Sequence, residues 1–320
     1  MTPRRGLIPF GLVLCASAAA QPAAAARCLY VSSYHSGYEW NDGIERGLES
    51  ALNGRCELTK FYMDGKRHLD AEFAKAKARE ANDLIAKLKP DVVIAADDSA
   101  SQYLVMPYLK NKSTPVVFCG LNWTAEPYGY PYTNSTGMIE VGPIEPLLNE
   151  VRSVVKNARR GIFLSADEIT QRKEHAMTAQ IYGRAGIAVA HKPVSTMADW
   201  EAAYVAAHAR NDFLVIGNYA GISDWDGERA RRVVREHSRR FTVAYLDGMA
   251  PFAMLTMSKI ADEQGEWAGK AAALILDGTA PSRIPVVANR RWNMYVNAPV
   301  LHKAGLRLSA ELVRKSAKVG

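Results

Sequence analysis

The feature that most constrains the fold is a repeated alternation of short apolar runs with helical segments. Runs such as DVVIAADD (91–98) and DFLVIGN (212–218) are apolar without interruption, which is typical of strands buried on both faces of a parallel sheet. The stretches between such runs place apolar residues at helical spacing, as in 71–88, where a proline follows at position 90. This alternation predicts an α/β fold.

The alternation occurs as two consecutive series of similar length, separated by a segment at 123–144 that is rich in Pro, Gly, Tyr and Asn. We therefore predict two doubly wound, Rossmann-like lobes, and we consider a single barrel of βα units as the alternative. The predicted strands are 28–33, 56–64, 91–98 and 114–122 in the first series, and 161–165, 187–194, 212–218 and 241–247 in the second.

The tail adds a helix at 258–277, an extended segment after it and a terminal helix at 309–318. These pieces are too small for a third lobe, so the chain is expected to cross between the lobes more than once. The predicted N-terminal lobe comprises 27–140 plus about 250–282, and the C-terminal lobe comprises 141–249 plus about 283–320.

Residues 1–26 have the layout of a secretory signal peptide: a basic start, an apolar run from 6 to 20 and then small residues. The apolar run is shorter than the ~20 residues that a membrane-spanning helix needs. Cleavage is favoured after Ala26, with Ala20 as the alternative. The sequence thus predicts a periplasmic or secreted protein.

Charge gives no indication of a nucleic-acid partner. Removal of the signal peptide takes away Arg4 and Arg5 and lowers the formal charge of +7 by two. The remaining excess is spread along the chain. The basic stretch RARRVVREHSRR (229–240) interleaves Val and Glu with Arg, and we interpret it as the solvated face of a helix.

The positions of two cysteines suggest a disulfide. Cys28 opens the first predicted strand and Cys56 opens the second. If these strands are parallel neighbours, both sulfurs lie at the same end of the sheet, and an oxidising compartment would permit a bridge. Two independent thiols are the alternative. Cys119, inside VVFCG, is interpreted as a small buried apolar residue.

Binding residues are expected at the strand ends, because ligands of parallel α/β sheets bind beyond the carboxyl ends of the strands. Rings, amides and short polar groups recur there and predict a pocket with apolar walls and a few fixed polar contacts. The candidates are Ser33, Tyr34, His35, Tyr38, Trp40, Lys66, Asp98, Ser99, Asn122 and Trp123 in the first series, and Ser165, Asn218, Tyr219 and Asp247 in the second.

Some of these residues have a structural interpretation as well. Asp97 or Asp98 is well placed to cap the helix that follows. Tyr34, Tyr38 and Trp40 could close the sheet against the first helix instead of lining a pocket. Asn41 is predicted to cap that helix.

Catalytic and metal-binding motifs are missing from the sequence. G-x-S-x-G, H-E-x-x-H, C-x-x-C, the P-loop and G-x-G-x-x-G do not occur, and the seven histidines show no metal-ligand spacing. We therefore expect a binding protein that has no cofactor, metal or enzymatic activity. A periplasmic enzyme that uses Asp97, Asp98 and His35 is the less favoured alternative.

Several motifs carry a family resemblance. SYHSGYEWNDGIERGL, FYMDGKR, ADDSAS, VVFCGLN and DEQGEWAGKAAALILDGTAPSRIPV, in this order, resemble the ABC-transporter substrate-binding family of the tryptophan/tyrosine type, which has the type I periplasmic binding protein fold. The resemblance covers nearly all of 28–319. It implies two lobes joined by a multi-crossover hinge and a small-molecule ligand that is closed between them and delivered unchanged to a membrane permease.

The resemblance also implies roles for some of the candidates. An amino acid or an aromatic, carboxylated compound is the ligand class that it suggests. Ser99, Asn122 and Asn218 would bind the polar end of the ligand, the rings of the first loop would pack on its body, and Lys66 would pair with a carboxylate. We expect a monomer. A sensing module for a membrane kinase is the alternative function.

Overall fold

The computed structural model describes residues 25–68 and 70–320. The predicted signal peptide lies outside these residues, except for its last two positions, and Ala26 is already the first residue of a strand. Within the described part of the chain, no helix is both long and apolar enough to cross a bilayer.

Strands and helices alternate along most of the chain. The strands are β1 (Ala26–Ser32), β2 (Cys56–Tyr62), β3 (Val92–Ala96), β4 (Val116–Asn122), β5 (Ser135–Glu140), β6 (Arg160–Ala166), β7 (Ala188–Val194), β8 (Phe213–Ile216), β9 (Phe241–Ala244), β10 (Leu255–Lys259), β11 (Val287–Ala288), β12 (Trp292–Asn297) and β13 (Ala317–Val319). The helices are α1 (Glu39–Leu52), α2 (Ala71–Leu88), α3 (Asp97–Ser99), α4 (Ile144–Val154), α5 (Ile169–Arg184), α6 (Met197–Arg210), α7 (Gly227–His237), α8 (Ala261–Leu276), α9 (Ala298–Lys303) and α10 (Ala310–Lys315); α3 continues as a π-helix over Ala100–Leu109.

The strands form two sheets. The first has the order β11-β5-β4-β3-β1-β2 and the second the order β13-β12-β10-β9-β8-β6-β7. All neighbours are parallel except β10 and β12. Every residue of β3 and of β8 is buried, as the uninterrupted apolar runs predicted. The prediction of two α/β lobes is confirmed.

Two strands lie where the sequence predicted other structure. β5 lies within the segment interpreted as a break between the lobes, and β10 occupies the predicted start of the helix at 258–277. Both are short and contain Ser or Thr, so their local sequence gives a weak strand signal. Pairing decides their structure: β5 lies between β4 and β11, and β10 between β9 and β12.

The chain crosses between the lobes at positions that differ from those predicted. β10 belongs to the second sheet, whereas α8 packs on the first sheet and β11 is part of it. The chain therefore crosses after β5, at Ile260 and between β11 and β12. Boundaries drawn by sheet lie near 260 and 290, whereas the sequence predicted boundaries at about 250 and about 283.

Helices α1 and α8 meet through glycines. A Cβ atom built on Gly47 would lie 2.1 Å from the carbonyl oxygen of Asp262, and one on Gly265 would lie 1.9 Å from the carbonyl oxygen of Ile44. No real Cβ approaches another atom so closely, so only glycine permits this contact. The two helices thus touch at their backbones on one side of the first sheet.

The first loop leads into α1 differently from the prediction. Asn41 does not cap the helix; Tyr38 occupies the cap position. Asn41 lies inside α1, fully buried, where it accepts a hydrogen bond from the Tyr30 hydroxyl (2.7 Å) and donates one to Glu45 (2.8 Å). A buried amide needs such partners, and here they attach α1 to β1.

Two of the cysteines form a bridge. β1 and β2 are parallel neighbours, and Cys28 and Cys56 are joined by a disulfide with 5.9 Å between their Cα atoms. Both residues lie near the amino ends of their strands, away from the edge at which ligands bind. Cys119 is a free, buried thiol.

Candidate functional site

The turn after β3 is the centre of the first sheet's carboxyl edge. The Ser33 hydroxyl donates to the Ala96 carbonyl (2.7 Å) and accepts from the Ala100 amide (2.8 Å). Ser33 is fully buried. In this structure Ser33, which was predicted to be a ligand contact, holds the turn that presents Asp97 and Asp98.

Asp97 is a buried carboxyl group in a rarely adopted backbone conformation. Its φ angle is +68°, it is 1% exposed, and its Oδ1 accepts a hydrogen bond of 3.0 Å from the Trp40 indole nitrogen. Its Oδ2 has no hydrogen-bond partner among the described residues. Burial, followed by the nearby charge of Glu140, raises the pKa of Asp97 well above its usual value.

Asp98 lies beside Asp97 but faces a cavity. Its two oxygens accept hydrogen bonds of 2.7 Å, one from the side-chain amide of Asn122 and one from the Tyr128 hydroxyl. The helix α3 has no side-chain cap, so neither Asp97 nor Asp98 has the predicted capping role. Asp98, Asn122 and Trp123 line one wall of a cavity of about 800 Å³, which we call the cleft cavity. The opposite wall comes from α5, through Thr170, Lys173, Glu174, Ala176, Met177 and Gln180. The cleft cavity therefore lies between the lobes.

Glu174 is the acidic group of the α5 wall. Burial raises its pKa, the nearby Lys259 ammonium opposes this shift, and Glu140 adds to it. The α5 residues were not among the predicted contacts, because they lie in a helix and not at the end of a strand. A signal was present: the predicted helix at 168–184 mixes polar and apolar residues without the clear apolar stripe seen at 71–88.

The rings of the first loop gather around a lysine. The Lys66 ammonium lies 4.7 Å from the centre of the Tyr34 ring and 5.4 Å from that of Tyr38. The two tyrosine rings meet edge to face at 5.2 Å. Among the described residues, no carboxylate lies within ion-pair distance of Lys66. This cation is consequently able to accept an anionic group.

Tyr38 and Trp40 face the second lobe. With Tyr245, Leu246, Asp247, Ser258 and Lys259 they line a smaller space of about 370 Å³. The Lys259 ammonium lies 5.5 Å from the centre of the Trp40 ring. His35 instead pairs with Asp64, with 3.7 Å between Nδ1 and Oδ1.

An ion pair joins the two sheets. Lys259, the last residue of β10, donates to Glu140, the last residue of β5. Glu140 is 5% exposed. Burial raises the pKa of Glu140, although the positive charge of Lys259 acts in the opposite direction. Burial alone would lower the pKa of Lys259, but the negative charge of Glu140 outweighs this effect, so the pKa of Lys259 is raised. Both residues flank crossings between the lobes.

The residues predicted to contact the ligand at the edge of the second sheet make hydrogen bonds and stacking contacts within their own lobe. The Ser165 hydroxyl is fully buried and lies 3.0 Å from His191 Nε2. The Asn218 side chain accepts from the Ala220 amide (2.9 Å), and the Tyr219 ring stacks on Trp225 at 4.6 Å. Asp247 accepts a hydrogen bond from Ser258. Asp247 also lines the smaller space shared with the first lobe.

Two further observations complete the site. Ser99 is half-buried in α3, and its hydroxyl has no hydrogen-bond partner within the described part of the chain. In residues 25–68 and 70–320, no three His, Cys, Asp or Glu side chains are grouped so that they could hold a metal ion.

Comparison with known proteins identifies the fold. No protein-family model and no curated protein matches the sequence. Among solved structures, a ligand-free, open substrate-binding protein with adhesive properties from Clostridium difficile is 15% identical, with a TM-score of 0.71, and the match covers 92% of this chain and 99% of that one.

Two further structures are similar. An ABC domain in complex with L-Trp from Streptococcus pneumonia is 14% identical, with a TM-score of 0.58 over 93% of this chain and 100% of the other. A periplasmic ribose ABC transporter from Conexibacter woesei is also 14% identical, with a TM-score of 0.57 over 92% and 99%. The chain has the two-lobed fold of type I periplasmic binding proteins.

Proposed function

We propose that this protein is an exported solute-binding protein, which captures a small molecule between its lobes and delivers it unchanged to the permease of an ABC importer. The observation that carries the proposal is the cleft cavity, whose walls come from both lobes and whose volume of about 800 Å³ is that of a small-molecule site. A ligand that touches both walls stabilises the closed arrangement of the lobes.

The polar groups of the cleft cavity favour an amino acid. Asp98 on one wall and Glu174 on the other offer carboxyl oxygens to an ammonium group, and Lys173 offers a cation to a carboxylate. Trp123 and Met177 supply apolar surface for a side chain, and an indole is well suited to contact an aromatic ring. A zwitterion with an aromatic side chain satisfies all of these groups together.

Two other observations support the proposal. The proteins that share the fold include a substrate-binding protein and an ABC domain that was solved in complex with L-Trp. The first 26 residues have the layout of an export signal. Delivery to a permease and an extracytoplasmic location are parts of the proposal on these grounds.

Ligand binding is tested with the purified mature protein by calorimetry and thermal unfolding. We expect L-Trp, L-Tyr or L-Phe to bind and to raise Tm, since a ligand that binds only the folded state stabilises it. Glu174→Gln removes one partner of the ammonium group and should weaken binding about tenfold, or ~1.4 kcal/mol, the size of a lost charged hydrogen bond. Affinity should also fall on acidification, beginning above the usual carboxyl range because burial raises the pKa of Glu174.

The matched control is Glu57→Gln. Glu57 is exposed in β2, next to Cys56 and so at the far end of the sheet from the cleft. Its replacement should leave affinity unchanged. If no amino acid, aromatic acid, nucleoside or sugar raises Tm, the proposal of a solute-binding protein is wrong.

Delivery is tested separately with the importer or the kinase encoded beside the gene. Ligand-loaded protein should stimulate ATP hydrolysis by the reconstituted permease and ATPase. If it stimulates autophosphorylation of a membrane kinase instead, the protein is a sensor and the transport role is refuted.

A further inference from the structure

A second cavity lies at the crossings between the lobes. Its volume is about 560 Å³, and we call it the hinge cavity, defined by Trp123, Val141, Ile181, Asn289, Arg290 and Trp292. The segment between β5 and α4 and the segment between β11 and β12 both contribute to its walls. Trp123, Met177 and Gln180 also line the cleft cavity, so the two spaces adjoin at these three side chains.

The walls of the hinge cavity are suited to a flat apolar group. Two indoles, of Trp123 and Trp292, and the side chains of Met177 and Ile181 face it. Gly142 keeps one side clear, since a Cβ atom there would lie 3.0 Å from the Trp123 ring. Aromatic rings pack well on indoles in such apolar sites.

A buried amide at the hinge lacks a hydrogen-bond acceptor. Asn289 is 4% exposed, and its Oδ1 accepts a hydrogen bond of 2.8 Å from the Val141 amide. Its Nδ2 has no hydrogen-bond partner among the described residues. Buried donors are seldom left unpaired in native proteins. Nδ2 is also shielded from solvent, so an oxygen acceptor in the hinge cavity reaches it only when the side chains around Asn289 move.

The charged groups of the hinge cavity favour an anion. Arg184 and Arg290 contribute to its lining, and neither side chain has a carboxylate within ion-pair distance in the described part of the chain. Glu145 is the one acidic residue of the lining. Arginine guanidinium groups bind carboxylates with paired hydrogen bonds.

We propose that the hinge cavity is a second ligand site, specific for a small aromatic carboxylate that has no ammonium group. The ring lies against Trp123 and Trp292, and the carboxylate accepts from the arginines at the rim. A movement of the side chains around Asn289 lets the carboxylate accept from Nδ2 as well. The site differs from the cleft cavity, where Asp98 and Glu174 favour an ammonium group. It does not depend on the identity of the cleft ligand.

The test is calorimetric titration of the mature protein with indole-3-acetate, which has the ring and the carboxylate but no amine. We expect binding that Asn289→Asp weakens at least tenfold, because the variant keeps the acceptor for the Val141 amide but replaces the donor with a second anionic oxygen. Arg290→Gln, at an exposed position, should weaken binding severalfold without affecting folding.

Two controls separate this site from the cleft. Glu174→Gln should leave affinity for indole-3-acetate unchanged, and so should Arg283→Gln, which replaces an exposed arginine outside the hinge cavity. The proposal is refuted if indole-3-acetate does not bind at millimolar concentration, or if Glu174→Gln abolishes binding while Asn289→Asp and Arg290→Gln have no effect. In the second case the probe occupies the cleft cavity.

Discussion

The carboxyl edges of the two sheets come from the same βα alternation but present different side chains to the cleft. The first edge directs Trp40, Asp98 and Asn122 toward the space between the lobes. The second edge turns Ser165 and Tyr219 onto its own lobe. Strand order therefore locates a binding cleft without deciding which strand-end residues line it.

The length of the connecting loop explains much of this difference. Between β1 and α1 lie residues 33–38, enough chain to place Tyr34, Tyr38 and the following Trp40 over the edge. Between β6 and α5 lie only residues 167 and 168. A helix that begins so soon after its strand brings its own side chains to the cleft, and Glu174 and Lys173 take the place of loop residues.

The largest effect is expected where the two edges are joined. Lys259→Met leaves Glu140 buried without its partner and should lower the free energy of unfolding by about 3 kcal/mol. The double variant Lys259→Met/Glu140→Gln should recover most of the loss, because no uncompensated charge remains. Urea unfolding of both single variants and the double variant measures this coupling.

Lys270→Met is the matched control for this prediction. Lys270 lies in α8 and pairs loosely with Glu266 at 4.0 Å, with its side chain 71% exposed. Its replacement should change stability by less than about 0.5 kcal/mol. If Lys259→Met and Lys270→Met lower the free energy of unfolding equally, the ion pair between Lys259 and Glu140 adds nothing to stability.

The second prediction concerns the buried acid of the first edge and its dependence on pH. Since the pKa of Asp97 is raised in the folded protein, protonation favours folding. The stabilisation that this proton gives the folded protein is fully present below the ordinary pKa of about 3.8. It is lost as the pH rises through the raised pKa of Asp97 in the folded protein. Asp97→Asn keeps an oxygen for Trp40 and removes the titration, so the variant should gain stability relative to wild type as the pH rises.

Urea unfolding of the wild type and Asp97→Asn at a series of pH values checks this prediction. The difference between the two proteins isolates Asp97 from the other titrating groups. A constant difference across the series would mean that Asp97 has an ordinary pKa and that its burial has no electrostatic cost.

The smallest effect is expected at the second edge. Ser165→Ala removes the hydrogen bond to His191 and should cost about 1 kcal/mol of stability. Ligand affinity should not change, because Ser165 is fully buried in its own lobe. A tenfold loss of affinity in calorimetry would contradict the contrast between the edges and restore Ser165 as a contact.

Much of the fold could be predicted because burial on both faces gives strands such as β3 and β8 a strong apolar signal. β10 could not be predicted in the same way, since its ladder with β9 and β12 depends on residues distant in sequence. The same limit applies to the site. The sequence placed Asp98 and Asn122 at a strand end, but the opposition of Glu174 to Asp98 depends on how the lobes are arranged.

The backbone contact between α1 and α8 has a consequence for how far the lobes can rotate. Gly47 and Gly265 fix α8 to the first lobe, while the strand β10 just before it belongs to the second. Only Ile260 separates the two elements, so rotation at this crossing must be taken up by its φ and ψ angles, now −112° and 110°. We expect this single-residue crossing to allow less rotation than the three-residue crossings at 141–143 and 289–291, which have more backbone angles over which to bend.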